Sequence, residues 1–571
     1  MCAFADIGAN CQETGLHISL IGCALYSLLK KMRCPKAAAG CAAFVLLLLY
    51  GRMTGMGISI FRAITMFVLL ILSEVIGRTY DLASSLALSC TIITITNPGI
   101  IRDSGFMLSF GAVLGIGLVK PFLDGYFPRR SRIGDALLIS FSVNVFTLPI
   151  VLYSYYQLST YSMVTNLVLI PLMSLVLPLA ILSGLFGLIL PGMGAVLACP
   201  CRLLLFFYEG ACRINDELPG SLIVAGKPKL LSVFIYYGLL AFILIFFRKD
   251  SSKHQSAALP ARKRLTRLCL MALLLSLGIC LLTFRLRPEL QAVMLDIGQG
   301  DCSILQTRSG RTVMIDCGSS DESQIAKYKV IPYLKSVGTD GIDYAVVTHA
   351  DADHISGLEE MFAMEKHEGV KIRNLILPDI GNKDSAYLDL IKAAGQAGCR
   401  IQMIRTGGRL SLGGLQLECL HPDKGYTCED RNEYSTVLSV TYGDFSALYT
   451  GDIQGRGEEI LTKRIRHSYT LLKCAHHGSE NSTPMEFLHR ADPVYTFISA
   501  GRENRYGHPH EALLLRLRKA GTRVYVTSSQ GAITLTTNGR RCFVHTFIKN
   551  GTDGSAVTSG AGQTATAGKR R

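Results

Sequence analysis

The chain has 571 residues, 49% of them hydrophobic and none tryptophan, and a formal net charge of +15. That length is too great for one compact domain, so two or more folding units are expected. The charge does not by itself mark a nucleic-acid binder: residues 289–550 hold 30 basic and 31 acidic residues, and the basic surplus lies in the apolar first half and the terminal GKRR.

In chain order, apolar stretches of about the 20 residues that cross a bilayer recur up to residue 285. GISIFRAITMFVLLILSEVIG (57–77) and LLSVFIYYGLLAFILIFF (230–247) are examples. One such stretch alone is as compatible with a buried core helix, but nine or ten in succession define a polytopic α-helical membrane domain. It is assigned to 1–285, with about ten helices near 16–30, 37–51, 57–77, 82–97, 105–122, 134–155, 161–190, 193–208, 230–247 and 267–284. The 161–190 stretch contains Pro171 and Pro178 and reads either as one broken helix or as two short ones. The opening MCAFADIGANCQETGLHISL lacks the basic head, apolar core and cleavage site of a signal peptide. It reads as the middle of something longer, so an upstream part is expected to be missing.

Arg62, Glu74, Asn144 and Asn166 fall within these spans. Polar groups are costly in lipid, so they are expected to face a bundle interior or a water-filled cavity, with structural hydrogen bonding as the equal alternative. The basic loop residues concentrate in KKMRCPK (30–36), in the 120–132 loop and in 248–267. Positive loops stay cytoplasmic, and with ten spans these three share one side. The last span then delivers everything after Arg285 to the outer face. The 18 cysteines show no CxxC spacing and read mainly as small hydrophobes.

After FRLRPEL the pattern changes to short β-rich runs: QAVMLDIG, TVMIDCG, DYAVVTH, FSALYTGD, YTLLKCAHHG, VYTFISAG and VYVTSS. Gly, Asp and Asn punctuate them, and helical stretches such as EALLLRLRKAG lie between. A soluble α/β domain is assigned to 289–550. The Gly/Ala/Ser/Thr-rich residues 551–571 read as a disordered tail.

The chemistry is concentrated in THADADH, where His349, Asp351, Asp353 and His354 follow a strand-like run. Imidazoles and carboxylates at a strand end are ligands for Zn²⁺ or Mn²⁺. Asp452 in YTGD, His476 and His477 in CAHHGS, and His508 and His510 in NRYGHPH adjoin other short apolar runs. Together they supply enough side chains for two metals, with Asp452 as the bridging carboxylate. Ser479, Asn481 and Arg505 are candidates to contact a phosphate, although turn formation also accounts for the first two.

This spacing resembles the metallo-β-lactamase superfamily, whose signature is His-x-His-x-Asp-His. The resemblance implies an αββα sandwich with metals at one edge, Asp316 as a structural aspartate near the site and Asp452 as the bridge. The chain departs at Asp351, where most relatives have histidine, and it lacks the usual histidine between signature and bridge unless His421 serves. His476 or His477, with His508, is the alternative supply. LDIGQGDCSILQT, THADADHISGL, YTGD, HHGS and NRYGHPHEALLLRL, in this order, resemble the ComEC family of competence proteins. TGLHISLI, GISIFRAITM and NPGIIRDSGFMLSFGAVLGI resemble that family's membrane segments, over roughly 15–545 in all. Members usually begin with further membrane segments and an OB-like domain, whereas this chain starts near the His17 motif.

The resemblance implies an inner-membrane channel for single-stranded DNA, with His17, Arg62, Glu74 and Asn144 as channel candidates. It implies an outer hydrolase with two divalent metals, Zn or Mn, and with Asp353, Asp452 and His508 at the chemistry. DNA, the lipid bilayer, and a DNA receptor and helicase of the competence system are the implied partners. Two alternatives stay open: a membrane-anchored phosphoesterase of other substrates, and a DNA-binding channel without catalytic activity.

Overall fold

The structure is a computed structural model that describes residues 21–127, 130–248, 261–364, 370–548 and 564–566. The chain divides into two compact units, Met1–Phe284 and Arg285–Arg571.

Among the described residues of the first unit seven helices are long and apolar enough to cross a membrane: Lys36–Met53, Ile58–Ile76, Ser104–Tyr126, Arg132–Tyr155, Ser162–Ile189, Pro191–Glu217 and Arg262–Thr283. Leu82–Thr96 and Leu230–Phe246 are apolar but shorter. Residues 21–31 are helical and form the later part of the first expected span. Ser162–Ile189 is one helix with Pro171 and Pro178 inside it, an arrangement tolerated in membrane helices because neighbouring groups re-satisfy the freed carbonyls. A short antiparallel ribbon pairs β1 (Gln157–Ser159) with β2 (Leu222–Val224), across the two helices between them. His17 lies outside the described residues. Arg62 is buried, with its guanidinium 6.0 Å from the Phe110 ring centroid. Glu74, near the end of its helix, accepts from the Tyr26 hydroxyl at 2.9 Å and pairs with Lys30 and Lys36, part of the basic 30–36 segment. Asn144 donates back into its own helix, to the Ser140 carbonyl at 3.0 Å.

The second unit contains two sheets. Its first half supplies β3 (Leu290–Met294), β4 (Ser303–Thr307), β5 (Thr312–Ile315), β6 (Gly341–Val346), β7 (Lys371–Pro378) and β8 (Arg400–Ile404). Then come β9 (Arg409–Leu412), β10 (Leu415–His421), β11 (Val437–Tyr442), β12 (Phe445–Tyr449), β13 (Leu471–Lys473), β14 (Tyr495–Ile498) and β15 (Arg523–Val526). The chain ends with β16 (Ile533–Thr537), β17 (Arg541–Thr546) and β18 (Thr564–Thr566). One sheet has the order β18-β17-β16-β3-β4-β5-β6-β7-β8, the other β15-β14-β13-β12-β11-β10-β9. β5 to β8 are parallel, as are β12 to β15. The tail was expected to lack structure, but three of its residues pair with β17, whose open edge offers backbone groups to any extended segment.

Period-2 alternation separates the layers. Leu290, Ala292 and Met294 of β3 point into a core shared with Leu417, Val440 and Phe445 of the second sheet. Val293, on the opposite face, packs with Leu334, Leu358 and Leu390 from the helices outside the first sheet. Leu448 and Leu472 do the same on the second sheet with Leu461, Phe487 and Leu517. Helix, sheet, sheet and helix are therefore stacked on three apolar seams, the expected αββα sandwich.

The helix Ala352–Ala363 is docked against the loop after β5 backbone to backbone: Cys317 N–H donates to the His354 carbonyl at 2.9 Å and Gly357 N–H to the Cys317 carbonyl at 2.9 Å. A Cβ on Gly318 would lie 2.5 Å from the Ala352 oxygen and from the His354 and Ile355 nitrogens. Gly318→Ala is therefore expected to push this helix away and to destabilise the fold by about 1–3 kcal/mol. Gly395, in the helix Ser385–Gln396, meets nothing within 4 Å, so Gly395→Ala should be neutral or stabilising by about 0.5–1 kcal/mol. Chemical denaturation of both variants checks the pair.

Candidate metal centre

The parallel strands end at one edge, and the site is built from the loops there. From the first sheet, Asp301 precedes β4, Asp316 follows β5 and His349 follows β6, with Asp353 and His354 in the first turn of the next helix. From the second, Asp452 follows β12, Lys473 closes β13, and His476 and His477 form a short turn after it. Asp316, His476 and His477 all hold positive φ values, of 57°, 50° and 51°. Such backbone is uncommon for these residue types outside constrained loops.

Three imidazoles are held from behind. His354 Nδ1 bonds Asp316 Oδ2 at 2.9 Å, and Asp316 is itself fixed by the Thr348 N–H and hydroxyl, both at 2.7 Å. His477 Nδ1 donates to the Ser499 carbonyl at 3.1 Å, and His349 Nδ1 lies 3.1 Å from the Thr348 hydroxyl. Each ring therefore turns Nε2 forward, and all three Nε2 atoms are buried with no hydrogen-bond partner among the described residues. His354 Nε2 is 3.3 Å from Asp452 Oδ2, and His477 Nε2 is 3.1 Å from the same oxygen and 3.3 Å from Asp353 Oδ2. Asp353, His354, Asp452 and His477 can all offer one ligand atom to a common point. His349 adjoins them, its ring centroid 4.1 Å from that of His354 and its Nε2 3.6 Å from Asp351 Oδ2. Orphaned imidazole nitrogens facing carboxylate oxygens in a buried pocket fit divalent cations, which would satisfy both.

The electrostatics agree. Burial disfavours charged imidazolium, yet the Asp452 and Asp301 carboxylates push His477 up to about 10. Against the same burial, Asp452 and Asp316 raise His354. Asp353 and Asp452 are held below the usual carboxylate range: burial opposes this, but the facing histidines prevail. The clustered carboxylates thus favour positive charge at this edge.

The other expected residues are placed as follows. Asp351 receives Arg431 Nη1 at 2.7 Å, and with His349 and Arg431 beside it stays down at about 2 in spite of burial. His476 turns away to Gln454, Nδ1 to Oε1 at 2.9 Å, so His477 is the histidine of the pair that meets Asp353 and Asp452. The His508 ring lies 6.3 Å from His477 and 5.6 Å from His476; burial and these neighbours push it down to about 4. His510 Nδ1 accepts the Glu480 N–H. His421 bonds the Glu433 carbonyl through Nε2 at 2.8 Å and is in neither grouping of potential ligands among the described residues. The Ser479 hydroxyl accepts the Asn481 N–H at 3.3 Å, a local turn. Arg505 is exposed, its guanidinium 4.9 Å from the Tyr506 ring centroid.

Sequence reasoning missed Asp301 and Lys473. Asp301 lies in the GQGD turn and Lys473 three residues before His476, both inside quoted runs. The Lys473 ammonium contacts Asp301 Oδ2 and lies 3.3 Å from Asp452 Oδ1. A lysine in an apolar strand was the available signal, since lysine is almost never fully buried unless paired.

The chain matches the family described as Competence protein over residues 14–250 and the Metallo-beta-lactamase superfamily over residues 295–502. It is similar to ComE operon protein 3 of Bacillus subtilis, 26% identical over 535 residues, which covers 91% of this chain and 66% of that protein. Recombination protein 2 of Haemophilus influenzae is 24% identical, with 85% of this chain and 62% of that protein covered. Competence protein ComA of Neisseria gonorrhoeae is 30% identical over 250 residues, 43% of this chain and 32% of that protein. The chain thus spans just under two thirds of the length of the first two.

The loop bearing His477 is anchored by Glu458, a buried residue of the helix Gly455–Arg464 whose Oε1 accepts the Thr483 N–H at 2.6 Å. Burial pushes this carboxyl from its ordinary 4.5 up to about 7, against the Thr483 N–H and Arg516. A folded-state value above the unfolded one means a stability contribution that is complete below pH 4.5 and lost as pH rises to about 7. Glu458→Gln should therefore match the wild type near pH 4.5 and exceed it above pH 7, by on the order of 3 kcal/mol. Denaturation midpoints across that range read the difference.

Proposed function

For a chain that belongs to the competence-protein family, with a competence domain followed by a metallo-beta-lactamase-superfamily domain, we propose a role in DNA uptake across a bacterial plasma membrane. The membrane unit passes one strand inward, and the sandwich domain, on the outer face, hydrolyses phosphodiester bonds of the strand that is not transported. The observation that carries the hydrolytic part is the convergence of two imidazole Nε2 atoms, those of His354 and His477, without hydrogen-bond partners among the described residues, on Asp353 and Asp452.

Two divalent cations, Zn²⁺ or Mn²⁺, supply Lewis acidity and a reactive water when bound. His349, His354, His477, Asp351, Asp353 and Asp452 would hold them, with Asp452 as the carboxylate available to both. Asp316 and Ser499 fix the tautomers of His354 and His477, keeping each Nε2 lone pair free. His508 stays neutral across the physiological range and presents Nδ1, which has no hydrogen-bond partner among the described residues, as a further ligand or proton acceptor. Arg505, exposed two residues from Gly507, meets the phosphate backbone. The outer placement is supported by the loop charges of the membrane unit. A DNA receptor and a helicase are the partners this function requires.

The 30-to-31 charge balance of residues 289–550 leaves phosphoesterase action on a smaller substrate, such as phosphorylcholine esters, as the second reading. Purified protein with Mn²⁺ is expected to cut end-labelled DNA. Asp353→Ala should lower the rate at least about 100-fold, since even outer-shell partners of a metal contribute 10–100-fold. Turnover of phosphorylcholine esters without DNA cleavage selects the second reading, and turnover of neither selects a binding-only domain.

A further inference from the structure

We infer that Lys473 divides the two oxygens of Asp452, capping Oδ1 so that Oδ2 alone serves both cation positions, and that the second cation is retained only while this cap is in place. The inference deepens the two-cation reading above and rests on it.

Lys473 ends β13 and is 3% exposed. Its ammonium donates to the Gly451 carbonyl at 2.9 Å and to Asp452 Oδ1 at 3.3 Å, and is ion-paired with Asp301 Oδ2. Two hydrogen bonds and an ion pair together set the position of this buried ammonium. On Asp452 the ammonium meets Oδ1, not the oxygen that faces the imidazole Nε2 atoms. The other oxygen, Oδ2, sits between His354 Nε2 at 3.3 Å and His477 Nε2 at 3.1 Å. A carboxylate free to rotate has other choices: it can chelate one cation with both oxygens or give one oxygen to each. With Oδ1 tied to a buried ammonium, both choices are closed.

Asp301 is the counter-ion that makes a lysine tolerable here. It leans on the rear nitrogens of the same two rings, Oδ2 at 3.8 Å from His354 Nδ1 and Oδ1 at 3.7 Å from His477 Nδ1. The pair thus forms the back wall of the centre, and Lys473 acts through Asp452 as a positioning residue. A merely structural ion pair would leave the number of bound cations untouched.

The test uses the full chain purified in detergent and titrated with Mn²⁺, with cation stoichiometry and the electron paramagnetic resonance spectrum as readouts. Wild type is expected to bind two cations and to show the signal of an exchange-coupled pair. Lys473→Met alone leaves Asp301 buried without a partner and threatens folding. The double variant Lys473→Met with Asp301→Asn removes both charges together and is the decisive protein. It should keep the first cation, bind the second about 10–100-fold more weakly, and show only an uncoupled signal. A double variant that keeps the coupled signal and both affinities overturns the inference. A wild type that binds one cation overturns the two-cation reading itself, and with it the inference, as a separately recognisable result.

Discussion

The second unit is organised around the burial of negative charge at one edge of a sandwich. Asp301, Asp316 and Asp452 are 2–3% exposed, and Asp353 lies beside them only partly exposed. Carboxylates out of water must be neutralised by hydrogen bonds, by an opposite charge or by a metal. Each fate is visible. Asp316 is consumed by Thr348 and His354, Asp301 by Lys473, while Asp353 and Asp452 face imidazole nitrogens that have no hydrogen-bond partner among the described residues.

That arrangement depends on the core behind it. The first sheet brings Asp301, Asp316, His349 and the helix with Asp353 and His354; the second brings Asp452, Lys473 and His477. The site therefore straddles the seam between the sheets, and the apolar packing of residues such as Leu290, Leu417 and Phe445 sets its geometry. Direct links stitch the two halves at the edge: the Ser499 hydroxyl donates to the Gly300 carbonyl at 2.6 Å and Gly501 N–H to Gln299 Oε1 at 3.1 Å. Strand register carries the same weight, because a one-residue slip turns every side chain to the opposite face.

The membrane unit follows a different logic. Its long helices leave most of their apolar surface uncovered by protein, only 6% of the Pro191–Glu217 window being buried, as expected where lipid replaces protein contacts. Charges there are settled locally: Glu74 by Tyr26, Lys30 and Lys36, and Asn144 within its own helix. Arg62 is buried beside Phe110 within the helical bundle, where an ionisable group is a functional candidate by default.

Sequence by itself determined the division into an apolar helical part and a β-rich part, the αββα sandwich of the second and most of the residues gathered at its edge. Hydropathy and the THADADH, YTGD and HHGS runs are local signals that survive without three-dimensional context. The strands β7 to β11 were less legible: β8 and β9 are short, with Ile404 their one buried residue, so neither carries a clear apolar face to read. Three matters were decided only by tertiary structure. Ser162–Ile189 stayed one helix because proline's local cost can be met by neighbours in a membrane bundle. His477 rather than His476 faced Asp353 and Asp452 because the backbone turn points adjacent side chains in different directions. Asp301 and Lys473, 172 positions apart, became one ion pair because the two sheets meet there. Long-range pairing of this kind leaves no spacing in the chain to read.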